Sequence, residues 1–280
     1  MCEICFVGRR GFTKLALGLA ATGLVATGLP ASARTRSVRT HSVRKNLPLV
    51  MIDPGHGGND PGASAADGLY EKTITLATGH LLYSALSRTG RYRVEMTRST
   101  DVYVTLEGRV ADAVTAKADL FLSLHCDHLP EANLSGASVF TLSNKASDRL
   151  AADVAVDENS ADRFAGPHFS GVSPQVASIL ASLETRATRI GSATLAADIQ
   201  RSFTGIVPML PDPHRSANFA VLRDSSVPST LLEMGCLSNP LDARLLNNPS
   251  HRRLIANRLT TSIDAYFANY SGGRGVRIAG

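Results

Sequence analysis

The sequence contains no tryptophan, and only 5% of its residues are aromatic. With Ala, Leu, Val and Ile supplying most of its apolar side chains, the chain favours helices packed on a sheet over an aromatic-rich sandwich. Cysteine is scarce too, at four in 280 residues, and Cys2 and Cys5 sit at the extreme N-terminus. That scarcity excludes a disulfide scaffold. Beyond residue 29 no apolar run approaches the roughly 20 residues that a membrane-spanning helix needs. No internal repeat is present, which excludes a solenoid. What remains is a globular composition, 44% hydrophobic and 19% charged. The length suits one sizeable domain with an attachment. We therefore expect an α/β single domain, with a mostly parallel or mixed twisted sheet flanked by helices, plus a helical insertion.

The attachment is N-terminal. Arg9-Arg10 precede an apolar run from Leu15 to Leu29 that ends at Ala31-Ser32-Ala33, the plan of an export signal over residues 1–33. The order Arg9-Arg10-Gly11-Phe12-Thr13-Lys14 resembles the twin-arginine signal, with Gly8 and Thr13 departing from it; an ordinary secretory signal is the alternative. Export implies a periplasmic location and a mature chain with no transmembrane segment. Residues 34–46 hold Arg34, Arg36, Arg39, Arg44 and Lys45 in a Ser/Thr-rich stretch that reads as a basic linker. This linker accounts for much of the net charge of +5. A solvated tether explains it, and nucleic acid is excluded as a partner after export.

From Leu47 short apolar runs alternate with helical ones, giving a domain over 47–270 and a tail over 271–280. Strands are predicted at 47–52, 94–97, 120–124, 137–142, 219–222 and 230–234. Helices are predicted from Tyr70 to near Gly90, over 106–116 and over 254–267. The stretch from Ser143 to His214 breaks the rhythm and reads as the helical insertion. Within it, Val176, Ile179, Leu180, Leu183, Ala187 and Ile190 form an apolar helical stripe, suited to packing on the domain or on a partner.

Four motifs carry chemistry. Asp53-Pro54-Gly55-His56-Gly57-Gly58 follows a strand, and its glycines let His56 project into a cleft at the strand's carboxyl end. No Lys-Ser/Thr follows the glycines, so a phosphate loop is excluded. Glu71 opens the next helix, where a carboxylate also suits the helix dipole. Ser123-Leu124-His125-Cys126-Asp127-His128 ends another strand, with His125 and Asp127 on one face; His128 is the main rival ligand, but the pleat directs it away from His125. Two imidazoles and one carboxylate make an open zinc set with a fourth position for water. Asp127 is a candidate to orient an imidazole from behind the ligands. Cys126 has no evident base, which disfavours a cysteine hydrolase. Finally, Glu233 lies in the apolar strand Thr230-Leu231-Leu232-Glu233-Met234-Gly235. Burial there demands compensation, either an ion pair with Arg215 or Arg223 or a role as general base beside a zinc-bound water.

Together, Val50 to Gly58, Tyr70-Glu71-Lys72, Ser123-Leu124-His125 and Leu232 to Pro240 resemble the zinc-dependent N-acetylmuramoyl-L-alanine amidases of bacterial cell separation. The resemblance runs from about Leu47 to Phe267. It implies one zinc ion held by His56, Glu71 and His125, with Glu233 as the catalytic carboxylate. The substrate implied is peptidoglycan, cut between the N-acetylmuramoyl lactyl group and L-alanine of the stem peptide. Arg215 and Asn218 match the segment before the family's last strand and are candidates for substrate contact. Cys126 and Cys236 depart from the family pattern, and packing as small buried hydrophobes is favoured over a disulfide between them. The motifs leave two other readings open, a zinc peptidase acting within the stem peptide and a wall-binding protein with a degenerate site. Similar insertions in relatives restrain activity until a partner protein binds, so an activator is expected. Glu158 is the first candidate to plug the open metal position, and Glu184 the second.

Overall fold

A computed structural model describes residues 47–129, 131–164, 186–223 and 226–269. The expected export signal, the basic linker, the tail and Glu184 lie outside these residues. In chain order the described elements are β1 (Leu49–Pro54), α1 (Glu71–Thr89), β2 (Arg93–Met96), α2 (Leu106–Ala116), β3 (Leu120–His125), β4 (Ala137–Leu142) and α3 (Arg149–Asn159). There follow α4 (Arg186–Phe203), β5 (Met209–Ala217), β6 (Ser229–Glu233), α5 (Pro240–Asn247) and α6 (Pro249–Asn269). The six strands form one mixed sheet in the order β2-β1-β3-β6-β4-β5. β2, β1, β3 and β6 run parallel, β4 joins β6 antiparallel, and β5 is parallel to β4.

Alternation along the central strands builds two cores, one on each face. Val50, Ile52, Leu122 and Leu124 point to the face covered by α1, α4, α5 and α6, through Leu82, Leu195, Leu246 and Leu259. Leu49, Met51, Phe121 and Leu231 point to the other, covered by α2 and α3 through Leu106, Ala113, Ala151 and Val154. Local chemistry sets the element ends. Gly90 takes a left-handed φ of 68° to close α1, Thr105 accepts a hydrogen bond from the Gly108 amide at the start of α2, and Asp148 accepts from the Ala151 amide at the start of α3.

Two expectations require correction. The apolar run Phe219–Leu222 is not a strand; Ala220–Leu222 form a 3-10 turn. Phe219 is fully buried and meets the Phe140 ring edge-on at 5.1 Å, so burial and not sheet pairing explains its hydrophobicity. The strand is instead β5, whose Pro211 and Pro213 mask it in the sequence; it tolerates them because it is an edge strand paired only with β4. Secondly, the stretch 143–214 does not stand apart as a unit. α4 buries Leu195, Ile199 and Phe203 completely in the main core, and β5 completes the sheet. The helical stripe expected from Val176 lies mostly outside the described residues. Its described end, Ala187 and Ile190, faces solvent, while α4 packs through Gly191, Leu195 and Ile199.

Candidate metal centre

The chain runs from β1 to β2 on one side and then crosses back to place β3 on the other side of β1, so the sheet order reverses between β1 and β3. The carboxyl ends of strands flanking such a reversal are where open α/β sheets hold ligands. His56 follows β1 directly, His125 ends β3, and Glu233 ends β6 in register with His125. Glycines allow the crowding at this edge. A Cβ at Gly55 would lie 2.4 Å from the His125 ring, and one at Gly62, whose φ is 65°, would lie 2.5 Å from a Glu71 carboxylate oxygen.

His56, Glu71, His125 and Glu158 each offer one donor atom, all within 4.8 Å of one another and all buried. His56 Nε2 is 3.1 Å from Glu71 Oε2 and 3.4 Å from Glu158 Oε2. His125 Nδ1 is 3.2 Å from Glu71 Oε1 and 2.8 Å from Glu158 Oε2. Yet among the described residues His56 Nε2, His125 Nδ1 and Glu158 Oε2 have no properly aligned hydrogen-bond partner. Buried polar atoms left so are costly, and their convergence asks for something between them. Ligands about 2.0–2.1 Å from one tetrahedral ion sit about 3.3 Å apart along the edges of the tetrahedron. The observed separations fit that figure.

His56 and Glu71 are each aimed by partners behind them. His56 Nδ1 lies 2.7 Å from Asp60 Oδ2, and the Glu71 carboxylate accepts from the amides of Ala63 and Cys126, both at 2.8 Å. Glu71 stands at the first turn of α1, where the helix dipole favours its charge. Burial opposes ionisation of every group here. It is outweighed at His56 by the Glu71 and Glu158 charges, which raise its pKa well above normal. At His125 burial is outweighed by Glu158 and then Glu71, which bring the pKa to about 9. Burial likewise yields at Glu71 to the neighbouring imidazoles, which hold its pKa at about 2. A bound cation takes the place of these protons.

Glu233 is different. It is 1% exposed, and among the described residues neither of its carboxylate oxygens has a partner. Neither Arg215 nor Arg223 reaches it: Arg215 pairs with Asp148 at 2.6 Å, and Arg223 donates to Asn218 Oδ1 at 2.9 Å. Burial, then the charges of Asp127, Glu158 and Glu71, push the Glu233 pKa well above the usual carboxylate range.

A search against protein families matches residues 50–265 to N-acetylmuramoyl-L-alanine amidase. The chain belongs to this amidase family. It is 36% identical over 220 residues to N-acetylmuramoyl-L-alanine amidase AmiA of Salmonella typhimurium, covering 78% of this chain and 76% of that one. It is 34% identical over 220 residues to AmiC of Neisseria meningitidis, covering 78% of this chain and 52% of that one. The chain thus spans about three quarters of the first relative and about half of the second. Among solved structures, the catalytic domain of CwlV, an N-acetylmuramoyl-L-alanine amidase from Bacillus (Paenibacillus) polymyxa, shares the fold. Its TM-score is 0.59 at 24% identity, with 79% of this chain and 99% of that one covered.

Of the residues singled out in the sequence, His56, Glu71, His125 and Glu158 meet at one point of this amidase, with Glu233 on the strand next to His125. Asp127 is buried nearby, but it forms no hydrogen bond to either imidazole, and its Oδ2 has no partner. The carboxylate that orients an imidazole directly is Asp60, which sequence reasoning passed over although it lies one loop from His56. Arg215 and Asn218 make their contacts on the side of β5. His128 is exposed. Cys126 and Cys236 are free thiols, packed in the cores on opposite faces of the sheet.

Glu158 arrives from α3, whose Ala151, Val154 and Ala155 bury against the second face. The chain just beyond Glu158 is fastened at two points. Asn159 donates to the Asn218 carbonyl at 2.8 Å and accepts from the Ala220 amide at 2.6 Å. Asp162 accepts from the Leu106 amide at 2.9 Å and from the Tyr103 hydroxyl at 3.1 Å.

Proposed function

We propose that the protein hydrolyses the amide between the N-acetylmuramoyl lactyl group and L-alanine of peptidoglycan stem peptides, using one zinc ion held by His56, Glu71 and His125. The observation that supports this most directly is the convergence of buried donors from His56, Glu71, His125 and Glu158, with two imidazole nitrogens and one Glu158 oxygen left without an aligned hydrogen-bond partner among the described residues. Neutral imidazole and carboxylate donors in an open set suit zinc. An ion there supplies Lewis acidity, bringing the pKa of water down to about 7 and polarising an amide carbonyl.

The chain's own residues do the rest. Glu233, buried and without a partner, takes a proton from the attacking water and passes it to the leaving L-alanine nitrogen, since an amide anion is a poor leaving group. The positive charge of a bound ion counters the burial that raises the Glu233 pKa, readying it as a base.

In this reading Glu158 is an inhibitory fourth ligand that fills the water's position, and the described residues are the closed state. Activation requires a partner protein that binds the insertion and withdraws α3, shifting the population to an open state. We assign this reaction to the periplasm, in wall remodelling and daughter-cell separation, on the strength of the twin-arginine-like N-terminal sequence. Incubating purified peptidoglycan with the protein tests the reading. New N-terminal L-alanine, lost on chelation and restored by zinc, is the expected product. Cleavage within the stem peptide would assign the protein as a peptidase instead, and no cleavage by a zinc-loaded Glu158→Ala variant would overturn both.

A further inference from the structure

We propose that Asp53, Ser123 and Arg109 form one buried positioning relay that fixes the tautomer of His125 and the backbone of His56 together. The proposal rests on the assignment of both histidines as metal ligands. All three residues are almost wholly buried, with Asp53 and Ser123 0% and Arg109 2% exposed. Asp53, next to last in β1, lies beside Ser123 of β3, its partner in register. Its Oδ1 accepts from Arg109 Nη1 at 2.7 Å and Thr97 Oγ1 at 2.6 Å, and its Oδ2 accepts from Ser123 Oγ at 2.6 Å.

The proton inventory then decides the histidine. An ionised carboxylate only accepts, so the single hydroxyl proton of Ser123 is committed to Asp53. Ser123 Oγ therefore presents a lone pair to His125 Nε2, which lies 3.1 Å away. In the neutral ring, the form that a metal ligand must take, Nε2 carries the proton and the lone pair is left on Nδ1, the nitrogen that faces Glu71 and Glu158. The opposite tautomer would point a proton into the donor cluster.

Arg109 carries the same constraint to the other ligand. While Nη1 holds Asp53, Nη1 also donates to the Pro54 carbonyl at 2.8 Å and Nη2 to the His56 carbonyl at 2.7 Å. His56 has a φ of 59°, a left-handed conformation that residues other than glycine adopt at a cost. Arg109 thus holds a strained backbone in the conformation that aims His56 Nε2 at the cluster. One ion pair, Asp53 with Arg109, serves both imidazoles.

The test uses the full chain and zinc alone. Ser123→Ala should weaken zinc binding about 10–100-fold by chelator competition, the usual cost of losing a group that orients a ligand, and Ser123→Thr should restore most of it. In zinc-loaded, 15N-histidine-labelled parent protein, long-range 1H–15N spectra should show His125 protonated at Nε2. Parental zinc affinity in Ser123→Ala, or a His125 proton on Nδ1 in the parent, would overturn the relay. The second measurement decides the matter if Ser123→Ala fails to fold. His125→Ala separates this from the ligand assignment. If it keeps parental zinc affinity, the assignment itself fails; if it loses zinc while Ser123→Ala does not, only the relay fails.

Discussion

Replacing Glu233 by glutamine removes the carboxylate to which we assign proton transfer while keeping its shape, and opposite effects on turnover and on stability are expected. Glu233 lies outside the group of converging donors, so zinc content should stay at one per chain. Loss of general base catalysis should lower turnover about 10²–10⁴-fold. Stability should move the other way. Both carboxylate oxygens are buried without a partner, and burial with the nearby Asp127, Glu158 and Glu71 charges raises the folded pKa well above normal. A carboxylate whose pKa is raised on folding contributes most stability below its unfolded pKa of about 4.3, and that contribution is lost as pH rises toward the folded value. Metal-stripped Glu233→Gln should therefore be more stable than the metal-stripped parent at pH 7.5, by about 1.4 kcal/mol for each tenfold by which folding weakens the acid, because the neutral amide escapes the cost of ionising a buried carboxylate. In a domain of this size each kcal/mol is worth about 2–4 °C in Tm. The advantage should vanish near pH 4. Thermal melts at both pH values, zinc analysis and release of L-alanine-terminated peptides from purified wall measure all three quantities. Loss of zinc, turnover within tenfold of the parent, or a lower Tm at pH 7.5 would each refute the role given to Glu233.

Glu158→Ala should raise basal wall hydrolysis without any partner protein, by about 100-fold if the closed state outnumbers the open one 99 to 1; an unchanged rate in a zinc-loaded variant would remove Glu158 as the plug. For metal-stripped protein, the His125 pKa of about 9 against an unfolded value of about 6.5 predicts stability that is fully present below pH 6.5 and lost as pH rises through 9. Urea denaturation at pH 6 and at pH 9.5 measures this, and equal midpoints would contradict it. Phe203→Ala, at a residue with 0% exposure in α4, should cost about 3–5 kcal/mol. Deleting residues 145–203 to relieve inhibition should consequently unfold the domain, and soluble, cooperatively melting protein from that deletion would show that α4 is dispensable.

The sequence by itself determined the central strands, the helices between them and the four motif residues. β1, β3 and β6 are continuous apolar runs, as strands covered on both faces must be, and α1 and α2 carry periodic apolar faces with identifiable ends. His56, His125 and Glu233 stand out because polar groups at the ends of such runs need a reason to be there. α5 escaped notice although Asn239 caps it and Pro240 opens it, because eight residues carry too little periodicity. α4 read as part of an insertion because its buried face mixes Thr188, Ser192 and Asp198 with its apolar residues. Only the tertiary structure decided β5, since edge position is what makes two prolines tolerable in a strand. It alone decided that Asp60 backs His56, and that Asp53 reaches His125 through Ser123 and His56 through Arg109. It also decided that Glu158 and not another acid of its segment meets the imidazoles. Those outcomes depend on distances between strands and on where α3 docks, and periodicity along a chain carries no information about either. An acidic residue at the end of a helix is usually solvated. Glu158 is not, because burial of Ala151, Val154 and Ala155, with Asn159 and Asp162 fastening the turn beyond, carries its carboxylate into the cluster.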